Sequence, residues 1–390
     1  MANGPLHGVR ILELGSIGPG PFCGMLLADL GAEVLRIDRA AGATLVGPSA
    51  SFRDELMHRG RRSAAVDLKH PDGAGVILDL VEHADGFFEG FRPGVCERLG
   101  IGPKECLARN PRLVYGRMTG YGQDGPMAQA VGHDLNYIAQ SGVLGLIGRA
   151  GEPPTPPLSL AGDFGGGGMI LALGMLAALV ERGTSGRGQV IDAAMVEGSA
   201  LLATCFFGFL QNGTWSAERG TNIVDSGAPY YDAYETADGR YLSVAAMEPH
   251  FYANLLGLLE LDPDALPEQN DRERWPEMKP VFAEAVRRRT LAEWLARADG
   301  VEACVAAVVS LDEIPDDEHL TARASFVHHE GRLQPAPAPR FSRTPSALSY
   351  PPPLPGEHTA EALADWGLDA ARIDALLSSG AVGAAAAQPM

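Results

Sequence analysis

The chain has 390 residues, 46% apolar and 21% charged, with a formal net charge of −18, and this length predicts two domains or one large domain with an insertion. The acidic excess argues against nonspecific nucleic-acid binding, which needs a basic face. Five scattered cysteines (Cys23, Cys96, Cys106, Cys205 and Cys304) suit neither a disulfide framework nor a zinc site, and with no recognisable signal peptide they lead to the expectation of a cytoplasmic protein.

Residues 8–14 read as a strand, the glycine- and proline-rich residues 15–20 as a turn, 22–30 as a helix and 32–37 as a second strand ending at Asp38 and Arg39. The order resembles a dinucleotide-binding βαβ unit, but Pro19 and Pro21 remove N–H groups that a pyrophosphate needs, and the third fingerprint glycine falls on Cys23. A Rossmann-like sheet without the dinucleotide is the expectation. Residues 40–62 hold a polar loop and a basic cluster, Arg53, His58, Arg59, Arg61 and Arg62, which is either a solvated face or a phosphate site. Strands over 64–69 and 113–118 flank a helix near 72–83 and a turn, residues 86–94, that leads into a helix start carrying Arg98. Short strands alternating with helices predict a mostly parallel sheet covered on both faces.

Two stretches carry chemistry. In the first, Gly132, His133 and Asp134 open a helix running through Leu135, Asn136 and Tyr137. In the second, Asp163 precedes four glycines, 165–168, and an apolar helix over 169–180 that is too short to cross a bilayer. An Asp there serves either as an N-cap or as a reactive carboxylate, and His133 either as a structural imidazole or as a base. The glycines favour a close approach of backbone or ligand, because a mere cap does not require their entropic cost. One imidazole and one carboxylate at two helix starts can face each other across a pocket.

Beyond residue 188 a strand (189–192) and an apolar helix to about 210 lead into a polar linker, 213–229. Met and Phe residues in 195–209 either fill the core or line an adaptable apolar surface. Asp238-Gly239 predicts a hairpin between 230–236 and 240–245, and Met247-Glu248-Pro249 ends it and starts a helix. Helices around 275–298 and a strand near 304–309 complete a smaller α+β domain. A proline-rich surface segment (335–356), a helical hairpin (358–377) and a disordered end (381–390) follow. The expected domains are 1–187, a large Rossmann-like domain completed by 325–390, then a linker helix and loop at 188–224, and a small domain at 225–324.

Seven stretches in order carry a family resemblance: 6–13, 36–39, 66–69, 91–95 with Arg98, 132–134, 162–166 and 247–249. Together they resemble the family III CoA-transferase group and, within it, the bacterial alpha-methylacyl-CoA racemases. The chain departs from that pattern by extra residues at 40–52 and a longer C-terminal tail. The resemblance implies an interlocked homodimer whose active site lies between the large domain of one subunit and the small domain of its partner. It assigns acyl-CoA binding to Arg39, Val66, Asp67, Leu68, Lys69, Gly90, Phe91, Arg92, Arg98, Gly132, Asp134, Leu135, Asn136 and Tyr137. His133 and Asp163 would transfer protons and Glu248 of the partner subunit would orient His133, with no metal, flavin or nicotinamide required.

The chemistry agrees with those roles. Inverting a carbon next to a thioester requires two acid/base groups on opposite faces and N–H donors for an enolate oxygen. Two rival readings stay open. One is a CoA-transferase in which Asp163 is a covalent nucleophile; the other is an acyl-CoA binder without catalysis. His133 beside Asp134, together with Glu248, favours the racemase, since covalent chemistry needs neither.

Overall fold

The computed structural model describes residues 4–40 and 51–383, which gather into two compact units. The larger takes its described residues from Met1–Ser141, Leu158–Leu202 and Ala322–Met390, and the smaller lies within Gly142–Pro157 and Ala203–Thr321.

The larger unit is built on a seven-stranded sheet. Its strands are β1 (Arg10–Leu14), β2 (Glu33–Arg39), β3 (Arg61–Val66), β4 (Gly86–Glu89), β5 (Val114–Thr119) and β6 (Gln189–Ala194), joined at the edge by Val382–Gly383. All pairs are parallel except that of the Val382–Gly383 strand, which runs antiparallel to β3. A sheet covered on both faces buries successive side chains on opposite sides. Phe87 and Phe88, adjacent on β4, accordingly enter two different cores. One core includes Leu12, Leu80, Tyr115 and Trp366, all fully buried. Truncating a side chain as large as Trp366 to Ala costs about 3 to 5 kcal/mol. The other holds Ile11, Leu27, Leu171 and Met175 beneath the Pro19–Asp29 and Ile170–Ser185 helices. The unit also contains a hairpin of two further strands, Phe326–His329 and Arg332–Pro335.

In the smaller unit the strands Tyr231–Glu235, Tyr241–Ala245 and Val305–Ala307 form an antiparallel sheet. The Asp238-Gly239 turn occurs where expected, with Gly239 at φ +73°. Helices Pro249–Leu259, Trp275–Val286 and Leu291–Ala298 bury Trp275, Trp294 and Phe282 against that sheet. The architecture is thus mixed α/β around a mostly parallel sheet.

Several expectations change. The basic cluster is neither solvated nor open to phosphate. Arg59 Nη2 lies 2.6 Å from Asp29, Arg61 pairs with the fully buried Glu13, and Arg62 Nη1 lies 2.6 Å from Asp365. Arg53 Nη2 lies 2.5 Å from Glu357. His58 titrates well below its ordinary range because burial, then Arg36 and Arg61, oppose its charged form. Carboxylates from 29 residues away (Glu33 to Arg62) to 304 residues away (Glu357 to Arg53) neutralise the cluster, a fact no local pattern contains.

Residues 189–202, expected within a linker, belong to the larger unit, because β6 hydrogen-bonds along β5 from Gln189 to Ala194. Residues 142–157 belong instead to the smaller unit, where Arg149 makes a two-pronged contact with Asp232 at 2.9 and 3.0 Å. The expected twelve-residue apolar helix is longer, since Leu160–Ser185 is continuously helical over 26 residues, and an 18-residue window within it has a mean hydropathy of 1.7. By length and composition it is apolar enough to cross a membrane, yet Leu171, Ala172, Met175 and Ala178 are buried on the sheet. The tail is ordered through Gly383, where Ala381 O accepts a 2.9 Å hydrogen bond from Asp67 N, in place of the disorder expected from residue 381. The rest of that segment, and residues 41–50 of the extra stretch, lie outside the described residues.

Candidate active site

The larger sheet has its strands in the order β3, β2, β1, β4, β5, β6. The chain moves outward from β1 to β3, then returns to add β4, β5 and β6 on the other side. The order reverses between β1 and β4, and open α/β sheets bind ligands in such crevices, beyond the carboxyl ends of the strands. Two glycine turns meet there. Gly15 N donates to Ile37 O at 2.9 Å, and a Cβ placed on Gly90 would lie 3.1 Å from Ser16 Oγ. At Gly18, φ is +67° and a Cβ would lie 2.9 Å from Asp163 Oδ2. Glycine there permits the turn and leaves room for the carboxylate.

Asp163 is not an N-cap. Residues Leu160–Met169 form a π-helical opening to the long helix, with Ser159 before it, and Asp163 sits in its first turn. Wide π turns arise where a helix must accommodate a local demand, often at functional sites. The glycines after Asp163 serve packing. A Cβ on Gly166 would lie 2.6 Å from Ser199 N, and one on Gly168 would lie 2.6 Å from Pro19 O. The helix is thereby wedged between the Pro19–Asp29 and Met195–Leu202 helices, with Phe22 and Phe164 rings 5.0 Å apart. Met195 is a core residue here, while Phe207 and Phe209 in the smaller unit are exposed, Phe209 with its ring 6.4 Å from that of Trp215.

The second stretch converges on the same carboxylate. His133 caps the Asp134–Gln140 helix, and its N–H donates to Asn136 Oδ1 at 3.1 Å. Asp134 is 6% exposed, and its Oδ1 accepts from Asp163 N at 2.6 Å. Burial, then the Asp134 charge, raises the Asp163 carboxyl to about 6, with His133 acting in the opposite sense. The Tyr137 hydroxyl donates to Gly132 O. Burial, then Tyr121 and Asp163, pushes that hydroxyl up to about 12 against the pull of Arg92. A carboxyl poised near neutral pH, an exposed imidazole and the free N–H groups of a first helical turn thus share one place.

Several of the expected CoA-binding residues lie at or just past the carboxyl ends of β2, β3 and β4. Arg39 ends β2 and Val66 ends β3. Asp67 Oδ1 accepts from Lys69 N at 2.9 Å, and Leu68 packs on the core. Gly90 follows β4, and Phe91 packs on the same core. Arg92 and Arg98 are exposed, and Leu135 is 43% exposed. Arg39, Lys69, Arg92 and Arg98 make no ion pair among the described residues, unlike the arginines of the β3 region. Free cations at the carboxyl ends of parallel strands suit a phosphorylated ligand. Asp38, the acid that ends the βαβ pattern of the sequence, is held by Arg36 Nε at 2.9 Å and Ser63 Oγ at 2.7 Å.

Glu248 lies in the smaller unit as the N-cap of Pro249–Leu259, exposed and without an ion pair among the described residues. No group of three His, Cys, Asp or Glu is arranged for a metal ion among the described residues. One residue escaped sequence reasoning: Glu89, a buried carboxylate at the end of β4. A charge closing an otherwise apolar four-residue strand was its only signal.

Residues 6–359 match the sequence profile of CoA-transferase family III. The chain is 47% identical to the mouse (Mus musculus) alpha-methylacyl-CoA racemase, the match covering 93% of each chain. It is 44% identical to the human (Homo sapiens) enzyme of that name over the same shares. Among solved structures, a CaiB/BaiF family protein from Brucella suis superposes with a TM-score of 0.79 at 25% identity, covering 93% of this chain and all of that one.

Proposed function

Because the chain belongs to CoA-transferase family III, we propose that it is an isomerase that interconverts (R)- and (S)-2-methylacyl-CoA thioesters by proton transfer at the α-carbon. The observation that carries this reading is the Asp163 carboxyl, raised to about 6 beside His133 at the reversal point of the sheet. Either group can start as base while the other starts as acid. One removes the α-proton, the other returns a proton to the opposite face, and both enantiomers are processed. The enolate oxygen between these steps is met by N–H groups of Asp134 and Leu135 in the first helical turn. The crevice cations Arg39, Lys69, Arg92 and Arg98 hold the phosphates of the CoA moiety.

The same reading extends to a homodimer in which Glu248 of one copy orients His133 of the other. Met169, Leu173, Val180, Leu201 and Leu202 are each more than half exposed on the larger unit. An apolar surface of that extent supports self-association. Chains threaded through one another would give Glu248, which has no ion pair among the described residues, a partner in the other copy.

The test is incubation of a single 2-methylacyl-CoA enantiomer in D₂O, following chirality and label together. Racemisation should proceed with solvent deuterium at the α-carbon and without a carboxylic-acid acceptor. If borohydride or hydroxylamine instead traps an acyl or CoA adduct on Asp163 during turnover, the covalent transferase chemistry is correct.

A further inference from the structure

Glu89 ends β4 immediately before the Gly90-Phe91-Arg92 turn, with its side chain 2% exposed. Its Oε2 accepts from Phe91 N at 2.7 Å, and its Oε1 lies 3.3 Å from Arg117 Nε on the neighbouring β5. The same guanidinium reaches onward, placing Nη2 2.9 Å from Glu97 Oε1 in the Val95–Arg98 helix. A continuous chain of polar contacts therefore runs Phe91, Glu89, Arg117, Glu97. It joins the turn that presents Arg92 to the helix that presents Arg98. The other groups facing Glu89 are the Cys96 thiol and the Tyr115 hydroxyl, both pushed up by burial and so neutral.

We propose that Glu89 is a positioning residue for the CoA moiety, its charged carboxylate fixing the spacing of Arg92 and Arg98 through Arg117 and Glu97. The inference rests on the acyl-CoA reading above. Neither cation touches Glu89, so its effect is on where they stand. Bidentate or paired recognition of phosphate depends on such spacing, and a cation displaced by about 1 Å loses much of it.

The arrangement also makes binding sensitive to pH. Burial raises the Glu89 carboxyl to about 7, against the Phe91 N–H and Arg117, while Glu97 adds to the rise. Above about pH 7 the charged form is present and Arg117 bridges two carboxylates. As pH falls through about 7, protonation removes one of them and leaves Phe91 N–H with a weaker acceptor. Affinity for CoA should therefore fall on acidification.

The experiment is calorimetric titration of free CoA into the wild-type protein and Glu89→Gln across about pH 6 to 8, bracketing the change. Gln keeps an acceptor for Phe91 N–H and removes the charge. Wild type should bind CoA about three- to tenfold more tightly than Glu89→Gln at the alkaline end, the gap closing towards the acid end. Ionisation of the ligand's own phosphate near pH 6 is common to both proteins and cancels in the comparison. In turnover, KM should rise while kcat changes by less than about twofold, a split that general destabilisation would not produce. Glu97→Gln at the exposed end of the chain should weaken CoA about threefold, and it carries the test if Glu89→Gln does not fold. Equal affinity and equal pH slope in wild type and variants overturns the inference. A wild-type protein that binds no CoA removes the acyl-CoA reading itself.

Discussion

Asp163 in the larger unit and Asp232 in the smaller are both carboxylates drawn away from water, and their neighbours push them in opposite directions. At Asp232 burial works to raise the pKa. The hydrogen bonds from Arg149 and Lys279 outweigh it and hold the carboxyl below its ordinary range. Lys279 Nζ stands 2.5 Å away, and Ala233 N donates at 2.8 Å. At Asp163 no cation is paired among the described residues. Burial acts with the neighbouring Asp134 charge, and the carboxyl rises to about 6. The first is a clamp, tying residues 142–157 to the edge of a small sheet. The second is held at a cost in folding free energy, as carboxyls that serve the proton transfer proposed here commonly are. What separates the two carboxyls here is the pair of cations beside Asp232, since burial acts to raise both.

The comparison breaks most decisively at Asp163. Replacing Asp163 or His133 by Ala should lower kcat for racemisation at least about a hundredfold, the usual worth of one acid/base group, with CoA binding and folding retained. Near wild-type racemisation in steady-state assays of Asp163→Ala would reduce it to a buried polar group like any other. Asp232→Asn should do the reverse. It leaves Arg149 and Lys279 without their charge partner, and because those side chains are 53% and 26% exposed, the loss should be about 2 kcal/mol. Thermal unfolding should move down by several degrees, while kcat at 25 °C stays within about twofold.

A subtler variant sharpens the distinction. Asp134→Asn keeps an acceptor for Asp163 N and removes the charge that helps raise the Asp163 carboxyl. The carboxyl should then titrate lower. For the enantiomer that gives its proton to Asp163, the acid limb of the kcat profile should shift to lower pH by up to about one unit. A limb that stays in place would mean that burial alone sets the titration of Asp163.

Much of this organisation was legible locally. The glycine turn after β1, the Asp238-Gly239 hairpin and Pro249 at a helix start follow from backbone preferences that a few residues carry by themselves. His133 and Asp163 were legible as candidates because one lies beside Gly132 at a helix start and the other before four glycines and an apolar helix. The Rossmann-like strand order was legible only in outline, from the alternation of short strands and helices. The basic residues of 53–62 were misleading, since Arg59 and Arg62 find their carboxylates at Asp29, Glu33 and Asp365. The glycines after Asp163 were legible as a close approach, but not as the surface between three helices.

By itself the sequence determined the periodicities, the turns and the residue types able to move a proton, because these depend on neighbours within a few positions. Tertiary structure decided the ionisation of Asp163, the burial of the arginine cluster and the pairing of the Val382–Gly383 strand with β3. Each of these depends on which distant groups exclude water from a charge or share its field, and that is settled only when the chain closes on itself.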